Sequence, residues 1–438
     1  MGPVSLLSPF RRQLEAQPPV RRWLIGYSGG LDSRVLVELA ASSLDPGRVL
    51  LLHVNHHLQP GADDWAQHCR QTAIRLGLAI RVLDVRPRSA SEADARDARY
   101  AAFECELQPD DCLLLGHHAD DQAETLLLRL LRGAGVRGLR GMPRQRPLGA
   151  GMLLRPLLER TRAELEAWAR GRGLDWIEDP SNAATHYDRN YLRQRVMPAL
   201  AKRWPDAVHR MGHSALLLDE ADELLLERAQ EDLASCGGRE RLSQTSLRAL
   251  GPARRRNLLR YWCESTCGVA LNTRQLTTIE DEFLGAASDR QPQLPLGDRV
   301  LRRYRDALHL VPALDSMPEA ELAATKIEPG TLCFPQGRLV LRHAAAGEVA
   351  LRSLDGLSLR YRRDGERCRP VGRGGSHPLK KLFQECGVPP WQRDSWPLLV
   401  HGDAIVALPG LFICEGWQTK PDAEGFIVDW EPGGPVTT

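Results

Sequence analysis

An alternation of apolar runs with amphipathic segments occupies residues 22 to 117 and constrains the fold more than any other feature. The apolar runs RWLIGY, VLLLHV, LAIRVLDV and CLLLGH begin at residues 22, 49, 78 and 112. Helix-like stretches lie between them, for example at residues 63–77 and 91–107. Strands that alternate with helices at this spacing predict an α/β domain with a doubly wound parallel sheet. In such sheets ligands bind beyond the carboxyl ends of the strands.

More than one domain is expected, because 438 residues exceed what one compact core accommodates. After Pro180 the sequence becomes rich in Leu, Ala, Arg and Glu, and short strand-like runs follow from Asp298 onward. We predict an α/β domain at residues 1–204 and a mainly helical domain at 205–312. A linker with short strands at 313–350 and a small α+β domain at 351–434 follow.

Composition excludes some classes of protein. The formal net charge is only +2, so any binding of nucleic acid has to come from local basic patches. The ten cysteines include no CxxC pair, which disfavours a zinc site. The chain shows no signal peptide and no apolar run long enough to cross a membrane. We therefore expect a reduced, cytoplasmic protein without a membrane segment.

The turn SGGLDS, from Ser28 to Ser33, follows the first predicted strand. It combines backbone N–H groups at a helix N-terminus, two glycines that allow close approach of a ligand, and two hydroxyl groups. This composition favours an anion-binding loop. It is not a Walker A loop, because no lysine follows. An ordinary turn capped by Asp32 or Ser33 is the alternative interpretation.

Two further segments carry polar side chains at the predicted active edge. In HVNHH, residues 53–57, the histidines and Asn55 either line a nucleotide pocket or simply cap the end of a strand. In the helix at 91–107, Arg96 and Arg99 are three residues apart on one face. Arginine is suited to phosphate contacts, although a solvated surface explains the pair equally well without context.

The segment GHHADDQAET begins at Gly116 and is the most informative. A helix that starts here would place His117, Asp121 and Glu124 on one face. The leucines that follow lie nearly all round this helix and predict that it is buried. Carboxylates beside a phosphate-binding loop should face a cation, either a lysine-like amine or magnesium. A simple charge–dipole effect at the helix N-terminus is the alternative.

A turn EDPSN at residues 178–182 precedes a helix that carries Arg189, Arg193 and Arg195. The first two of these arginines are four residues apart and share a face. A linker followed by a solvated helix is the simpler alternative.

In this order, these segments resemble the tRNA(Ile)-lysidine synthetases (synthases), a family of N-type ATP pyrophosphatases with a PP-loop. The resemblance is dense over about the first 200 residues. It extends to RRDGERCRP (362–370) and LKKLFQECGVPPWQRDSWPLL (379–399), which are similar to the small C-terminal domain of longer members. Gln59 departs from the family pattern, which usually has arginine there.

The resemblance implies a ligase that uses ATP and Mg²⁺ to adenylate the C2 carbonyl oxygen of the wobble cytidine in the minor isoleucine tRNA with a CAU anticodon. The ε-amine of free L-lysine then displaces AMP, giving lysidine, AMP and pyrophosphate. The partners implied are tRNA(Ile) and free L-lysine, and a dimer is expected. Domains after residue 204 are expected to bind tRNA.

The resemblance also implies roles for individual residues. The predicted ATP-binding residues are Ser28, Gly29, Gly30, Leu31, Asp32, Ser33, His53 and Asn55. Asp121 and Glu124 are expected to hold the lysine ammonium group and Arg189 its carboxylate. His117, Asp121 and Arg99 are the predicted catalytic residues, with His117 assisting proton loss from the amine. The predicted tRNA contacts are Arg96, Arg193, Arg195, Arg254, Arg255, Arg363, Lys380 and Lys381. Magnesium is expected to be held mainly by the ATP phosphates.

Three alternative functions differ in their sequence requirements. A sulfur-delivering tRNA-modifying relative would typically use paired cysteines, and no CxxC occurs. An amidotransferase-type synthetase would need a glutaminase domain, for which the sequence gives no signal. A tRNA-binding protein without activity leaves the acidic face of the 116–125 segment unexplained.

Overall fold

A computed structural model describes residues 5–58, 61–89, 91–178, 187–285, 291–313, 322–323, 325–345, 348–419 and 423–433. Gln59 and most of the EDPSN turn lie outside these residues. The chain divides into two compact units, Met1–Leu226 and Glu227–Thr438.

The first unit contains a six-stranded sheet with the order β3-β2-β1-β4-β6-β5. All neighbouring strands are parallel except β5, which is antiparallel to β6. This confirms the predicted doubly wound parallel sheet. The strands are β1 Arg22–Gly26, β2 Val49–Asn55, β3 Ala79–Asp84, β4 Asp111–Leu114, β5 Gln145–Leu148 and β6 Gly151–Leu154.

Helices connect these strands and continue beyond them. They are α1 Leu7–Glu15, α2 Leu31–Ala41, α3 Ala62–Leu76, α4 Glu92–Glu106, α5 Ala119–Leu131, α6 Val136–Leu139, α7 Arg162–Gly171, α8 Asp188–Tyr191, α9 Met197–Arg203 and α10 Ala207–Cys236. A short 3-10 helix spans Pro46–Arg48, and a π-helical segment, Leu192–Val196, joins α8 to α9.

Side chains of β1 alternate between two apolar cores, one on each face of the sheet. Trp23 and Ile25 pack with α2, whereas Leu24 packs with Phe103 of α4. Both faces of a parallel sheet are covered by helices, so its strands are apolar throughout. This is why the strands were recognisable as continuous apolar runs.

The expectation that α5 is buried is confirmed for its first two turns and wrong for its last turn. Its buried side chains lie in the first two turns and include Asp121, Gln122 and Glu124. Leu130 is 55% exposed and Leu131 is 75% exposed. The buried part of the helix is therefore fixed by polar partners near its start, and the leucine content of its last turn does not bury that turn.

The second unit begins with helices and an antiparallel sheet of order β7-β10-β9-β8. Its elements are α11 Gln244–Ala249, α12 Pro252–Cys267, α13 Thr273–Thr278, the π-helical segment Ile279–Gly285, and strands β7 Arg241–Ser243, β8 Gln293–Leu296, β9 Arg299–Tyr304 and β10 Ala307–Pro312. The predicted helical character is confirmed, and a sheet accompanies it. Trp262 and Phe283 are fully buried between the helices and this sheet.

The C-terminal part of the second unit is rich in short antiparallel strands, grouped as β11-β12-β19, β13-β16-β17-β18 and β14-β15. These elements are β11 Gly330–Phe334, β12 Gly337–His343, β13 Ser358–Arg360, β14 Arg367–Cys368, β15 His377–Pro378, α14 Leu379–Glu385, α15 Pro390–Arg393, β16 Leu398–His401, β17 Ala404–Leu408, β18 Phe412–Ile413 and β19 Phe426–Pro432. The predicted small α+β C-terminal domain is thus confirmed and is rich in strands, while its boundaries remain a prediction.

Asp111 joins the starts of β1 and β4. The residue is 2% exposed, and its carboxylate accepts hydrogen bonds from Arg21, Arg22 and the backbone N–H of Gln108. Burial disfavours the ionised form, but the hydrogen bonds from Arg22, Gln108 and Arg21 outweigh it and lower the pKa of Asp111.

We expect Asp111→Asn to destabilise the first unit by about 1.5–3 kcal/mol at pH 7, because hydrogen bonds to a charged group are lost. A lowered pKa means that the wild-type advantage is present above the unfolded pKa of about 3.9 and disappears as the pH falls below it. Urea unfolding of both proteins at pH 7 and at about pH 3 measures this. Equal differences at both pH values would contradict it.

Candidate active site at the switch point of the sheet

The strand order reverses between β1 and β4, so the loops after these two strands lie side by side. This is the position at which open α/β sheets bind ligands. Gly116, in the loop after β4, approaches the first turn of α2 so closely that a Cβ atom there would lie 3.0 Å from the carbonyl oxygen of Asp32. Glycine at this position lets the two loops meet.

The loop after β1 is braced by its own serines. The Ser28 and Ser33 hydroxyl oxygens are 3.0 Å apart, and the backbone N–H of Ser28 donates to the Ser33 hydroxyl at 3.2 Å. The Ser33 hydroxyl lies 3.0 Å from the Gly30 carbonyl oxygen. Gly30 is the N-cap of α2 and supplies no side chain to cap it. The first N–H groups of α2, starting at Leu31, are therefore not capped by the side chain of the N-cap residue, and a helix N-terminus of this kind suits an anion.

Gly29 is where the loop turns back on the rest of the domain. Its φ of +89° belongs to the left-handed region, and its carbonyl accepts the Ile177 N–H at 2.9 Å. A Cβ atom at Gly29 would lie 2.7 Å from Ile177 and 3.2 Å from the Cys69 sulfur. A Cβ atom at Gly30 would meet nothing closer than 3.6 Å. The side of the loop at Gly30 is thus the open one.

His118, which sequence reasoning passed over, lies at the centre of an acidic cluster. It is the N-cap of α5, and its backbone N–H donates to the Asp121 carboxylate at 3.1 Å. Its ring nitrogens lie 3.4 to 3.6 Å from carboxylate oxygens of Asp121, Asp32 and Asp120. Burial alone would favour the neutral ring, but these three carboxylates raise the pKa of His118 to about 10. An imidazolium therefore links Asp32 of the first loop to α5.

Two arginines from the segment after the EDPSN turn reach the same cluster. Arg189 donates to Asp121 and to Glu124, each at 2.9 Å. Arg193 donates to the same carboxylates, at 3.1 and 2.7 Å. Burial works against ionisation of Asp121, but His118 and Arg189 hold the pKa of this carboxyl well below its usual range. The cations that face Asp121 and Glu124 in this structure are therefore the two arginines.

Arg162 at the start of α7 completes the cluster. Its guanidinium lies 3.1 Å from the Asp32 carboxylate, and its backbone N–H donates to Asp120 at 2.8 Å. The cluster then contains the four carboxylates of Asp32, Asp120, Asp121 and Glu124 and the four cations of His118, Arg162, Arg189 and Arg193. Positive and negative groups balance, which is the condition for burying them at tolerable cost. We call this group the ion network.

His117 does not share a helical face with Asp121, because α5 begins only at Ala119. Its Nδ1 accepts a hydrogen bond from the guanidinium of Arg155 at 3.2 Å. Burial, and to a lesser degree Arg155, lower the pKa of His117 to about 3. The ring is neutral with its proton on Nε2, so the geometry argues against the expected role as a proton acceptor.

His53 and Asn55 are directed into the protein. His53 is 4% exposed, and its Nδ1 is 2.9 Å from the Tyr27 carbonyl oxygen. Asn55 is 3% exposed and donates to Asp63 at 3.0 Å. Both hold the ends of strands at the site, so the strand-capping interpretation fits them better than direct ATP contact. The neighbouring His56 has both ring nitrogens buried without a hydrogen-bond partner among the described residues.

The predicted tRNA contacts occupy different environments. Arg193 belongs to the ion network, whereas Arg195, Arg363, Lys380 and Lys381 are exposed. Arg254 pairs with Asp232, and Arg255 lies 3.1 Å from Glu280. These two bridges join α12 to neighbouring helical segments, so the basic run that suggested RNA is in part structural. Arg99 is exposed on α4.

No group of three or more His, Cys, Asp or Glu side chains suited to a metal occurs in the part of the chain that the structure describes. Within the same part, no helix has the length and apolar character needed to cross a bilayer.

Comparison with protein families matches three consecutive regions. Residues 7–200 match the PP-loop domain, residues 242–309 the TilS substrate binding domain and residues 357–430 the TilS substrate C-terminal domain. The two outer matches correspond to the sheet of the first unit and the short strands of the second.

Curated relatives match over nearly their whole length. A tRNA(Ile)-lysidine synthase of Alkalilimnicola ehrlichii is 44% identical over 99% of this chain and 99% of its own. Proteins of the same name from Coxiella burnetii and Methylococcus capsulatus are each 39% identical. These matches cover 93% and 97% of this chain, and 93% and 99% of the relatives.

Gly29→Ala and Gly30→Ala test the loop geometry. We expect Gly29→Ala to lower stability by about 1–2 kcal/mol, because an alanine at positive φ is strained and meets Ile177. Gly30→Ala should leave stability unchanged but weaken ATP binding at least tenfold, because its methyl group would project into the open side of the loop, where the phosphates are expected to bind. Thermal unfolding with and without ATP measures both effects. Normal ATP binding by Gly30→Ala would refute this location for the phosphates.

Proposed function

The chain belongs to the tRNA(Ile)-lysidine synthase family, and we propose how its own residues divide the reaction of that family. The protein is an ATP-dependent ligase with a PP-loop, and it synthesises lysidine in tRNA(Ile). One observation carries the division of roles: the anion-binding loop after β1 and the acidic start of α5 meet at one sheet edge, joined by His118.

The loop Ser28–Ser33 holds the pyrophosphate part of ATP. The N-terminus of α2 supplies N–H donors, and the open side at Gly30 admits the phosphates. Magnesium is held mainly by the ATP phosphates. Asp32 is the carboxylate nearest to them, but it already faces Arg162 and His118, which fits contact through water better than direct coordination. When bound, the ion offsets charge on the phosphates.

Asp121 and Glu124 bind the lysine ε-ammonium group and Arg189 binds the lysine carboxylate. Arg189 and Arg193 both contact these two carboxylates, so they compete for the same oxygens. The ε-ammonium and the carboxylate of lysine satisfy both sides when Arg189 turns from Asp121 to the lysine carboxylate and the ε-ammonium takes its place. These two groups together add no net charge to the network, whereas a simple amine would add a positive charge, and this difference favours lysine.

The target cytosine reacts between these two groups, and His117 lies beside it. A neutral His117 that accepts from Arg155 through Nδ1 donates through Nε2. We therefore assign it hydrogen bonding to the reacting base or phosphate in place of proton acceptance. Arg99, exposed on α4, is assigned to the α-phosphate. The base has to leave its stack to reach this edge.

Labelled lysine, ATP and tRNA(Ile) transcripts test the finer reaction. We expect lysine to be incorporated into the transcript with C at the wobble position and not into the transcript with U, with one AMP and one pyrophosphate released per lysine. Incorporation into both transcripts would contradict recognition of the wobble cytidine, and labelling that needs no ATP would contradict adenylation.

Arg189→Gln tests the lysine site. Wild-type protein should use lysine at least tenfold better than lysinamide, which lacks the carboxylate, and Arg189→Gln should lose this preference. Asp121→Asn should raise the KM for both amines with little change in ATP binding. Asp45→Asn is the matched control, because Asp45 is an exposed carboxylate that caps a 3-10 helix before β2. An intact preference in Arg189→Gln would exclude the assigned contact.

His117→Gln tests the assignment of a donor. With a pKa of about 3, His117 does not titrate between pH 5 and 8. Any acidic limb of kcat/KM for lysine in this range should therefore keep its midpoint in His117→Gln, although the rate falls. A limb that vanishes in the variant would restore His117 as the proton acceptor.

A further inference from the structure

Tyr100 of α4 lies between two arginine side chains. The guanidinium carbons of Arg96 and Arg146 are each 5.3 Å from the centre of its ring. Arg96 precedes Tyr100 by one helical turn, whereas Arg146 comes from β5, 46 residues further along the chain. Cation–π contact with the ring fixes both guanidinium groups in position. The arrangement therefore depends on the tertiary fold.

A third arginine touches the same tyrosine. Arg155 is 2% exposed, and it donates to the Tyr100 hydroxyl at 3.4 Å, the Pro143 carbonyl oxygen at 2.7 Å and His117 at 3.2 Å. All three acceptors are formally neutral. Among the described residues, none of the three arginines forms a salt bridge with a carboxylate. This contrasts with the ion network, where each cation has an acidic partner.

Uncompensated positive charge is costly here. Burial lowers the pKa of Arg155, and repulsion from Arg146 and Arg96 lowers it further. Repulsion from Arg155 and Arg96 likewise contributes to the low pKa of His117. Three neighbouring guanidinium groups without a carboxylate create a positive potential that attracts an anion. The planar donors of arginine suit the oxygens of a phosphate.

The cluster lies at the active edge of the sheet. Arg146 is paired in register with Leu153 near the carboxyl end of β6, and Arg155 follows that end directly. His117 follows the carboxyl end of β4, the neighbouring strand. The cluster is therefore on the β6 side of His117, while the anion-binding loop follows β1 on the other side of β4. A phosphate bound here is distinct from those held at Ser28–Ser33.

We propose that Tyr100, Arg96, Arg146 and Arg155 form a phosphodiester-binding site for the RNA substrate, next to the base that reacts. This inference rests on the proposed function and adds to it Tyr100, Arg146 and Arg155. Tyr100 and Arg155 are positioning residues that orient Arg96 and Arg146. The site would hold the backbone beside the flipped nucleotide, which fixes the base relative to His117.

Arg146→Gln tests the site because this side chain is half-buried and, among the described residues, donates only one hydrogen bond, to the Pro147 carbonyl oxygen. Filter binding of the CAU tRNA transcript between 50 and 250 mM KCl should show a several-fold higher Kd. The slope of log Kd against log salt should fall by about 0.7–0.9, the value for one lost phosphate contact. The KM for ATP should not change.

Arg172→Gln is the matched control. Arg172 also lies over an aromatic ring, that of Trp168 at 4.4 Å, but it caps the C-terminus of α7. The start of α7 contacts Asp32, so Arg172 is about 15 Å away along the helix, toward the other edge of the sheet. This variant should bind the transcript like the wild type, with the same salt slope.

Tyr100 provides a second and independent test. Tyr100→Phe keeps the ring and should retain tRNA affinity, whereas Tyr100→Leu should reproduce the defect of Arg146→Gln at unchanged ATP KM. An unchanged tRNA Kd in Arg146→Gln and Tyr100→Leu would overturn the proposal. A raised ATP KM with normal tRNA binding would also overturn it, by assigning the site to the nucleotide. If the wild-type protein binds the transcript but forms no lysidine, the proposed function fails while these binding comparisons still decide the site.

Discussion

The ion network centred on His118 is the interaction on which the site depends. Its carboxylates come from two places in the sequence, Asp32 and the start of α5, and its arginines come from the start of α7 and from the segment after the EDPSN turn. Burying one carboxylate without a partner costs several kcal/mol, so each of these segments is held where its partners are. The loop after β1, the start of α5, the start of α7 and the 188–196 segment are consequently fixed to one another.

This network explains why phosphate chemistry and amine chemistry can coexist in one small space. Bare carboxylates beside the phosphate-binding loop would repel the phosphates of ATP. His118 screens the two from each other, because the carboxylates themselves keep it protonated at neutral pH. On the opposite side of His117 the charge is unbalanced, with Arg96, Arg146 and Arg155 around Tyr100. The site thus has a neutral half and a cationic half, separated by an uncharged imidazole.

Local sequence patterns predicted what depends on local rules. Continuous apolar runs predicted β1 to β4, and SGGLDS predicted the anion-binding loop, because strands and turns have composition requirements of their own. The errors arise where one residue decides a geometry. The prediction that His117 and Asp121 share a helical face assumed that the helix includes His117. In the structure α5 starts at Ala119, and His118 lies at the centre of the ion network. Arg162 was missed although it opens a helix after β6, at the edge where ligands bind. Arg254 and Arg255 stay predicted tRNA contacts, and their ion pairs could not be foreseen because the acidic partners are more than 20 residues away in sequence.

The sequence by itself determined the parallel sheet, the edge at which ligands bind, and the set of chemical groups available there. Hydrophobic periodicity and turn composition act over a few residues, and a resemblance carried by five ordered motifs identified the family. Only the tertiary structure decided which charges meet: that Asp121 and Glu124 face Arg189 and Arg193, that His118 is charged and His117 is not, and that Arg146 lies on Tyr100. Protonation and pairing depend on distance and burial in space, and residues such as Tyr100 and Arg146 become neighbours only when the sheet brings its strands together.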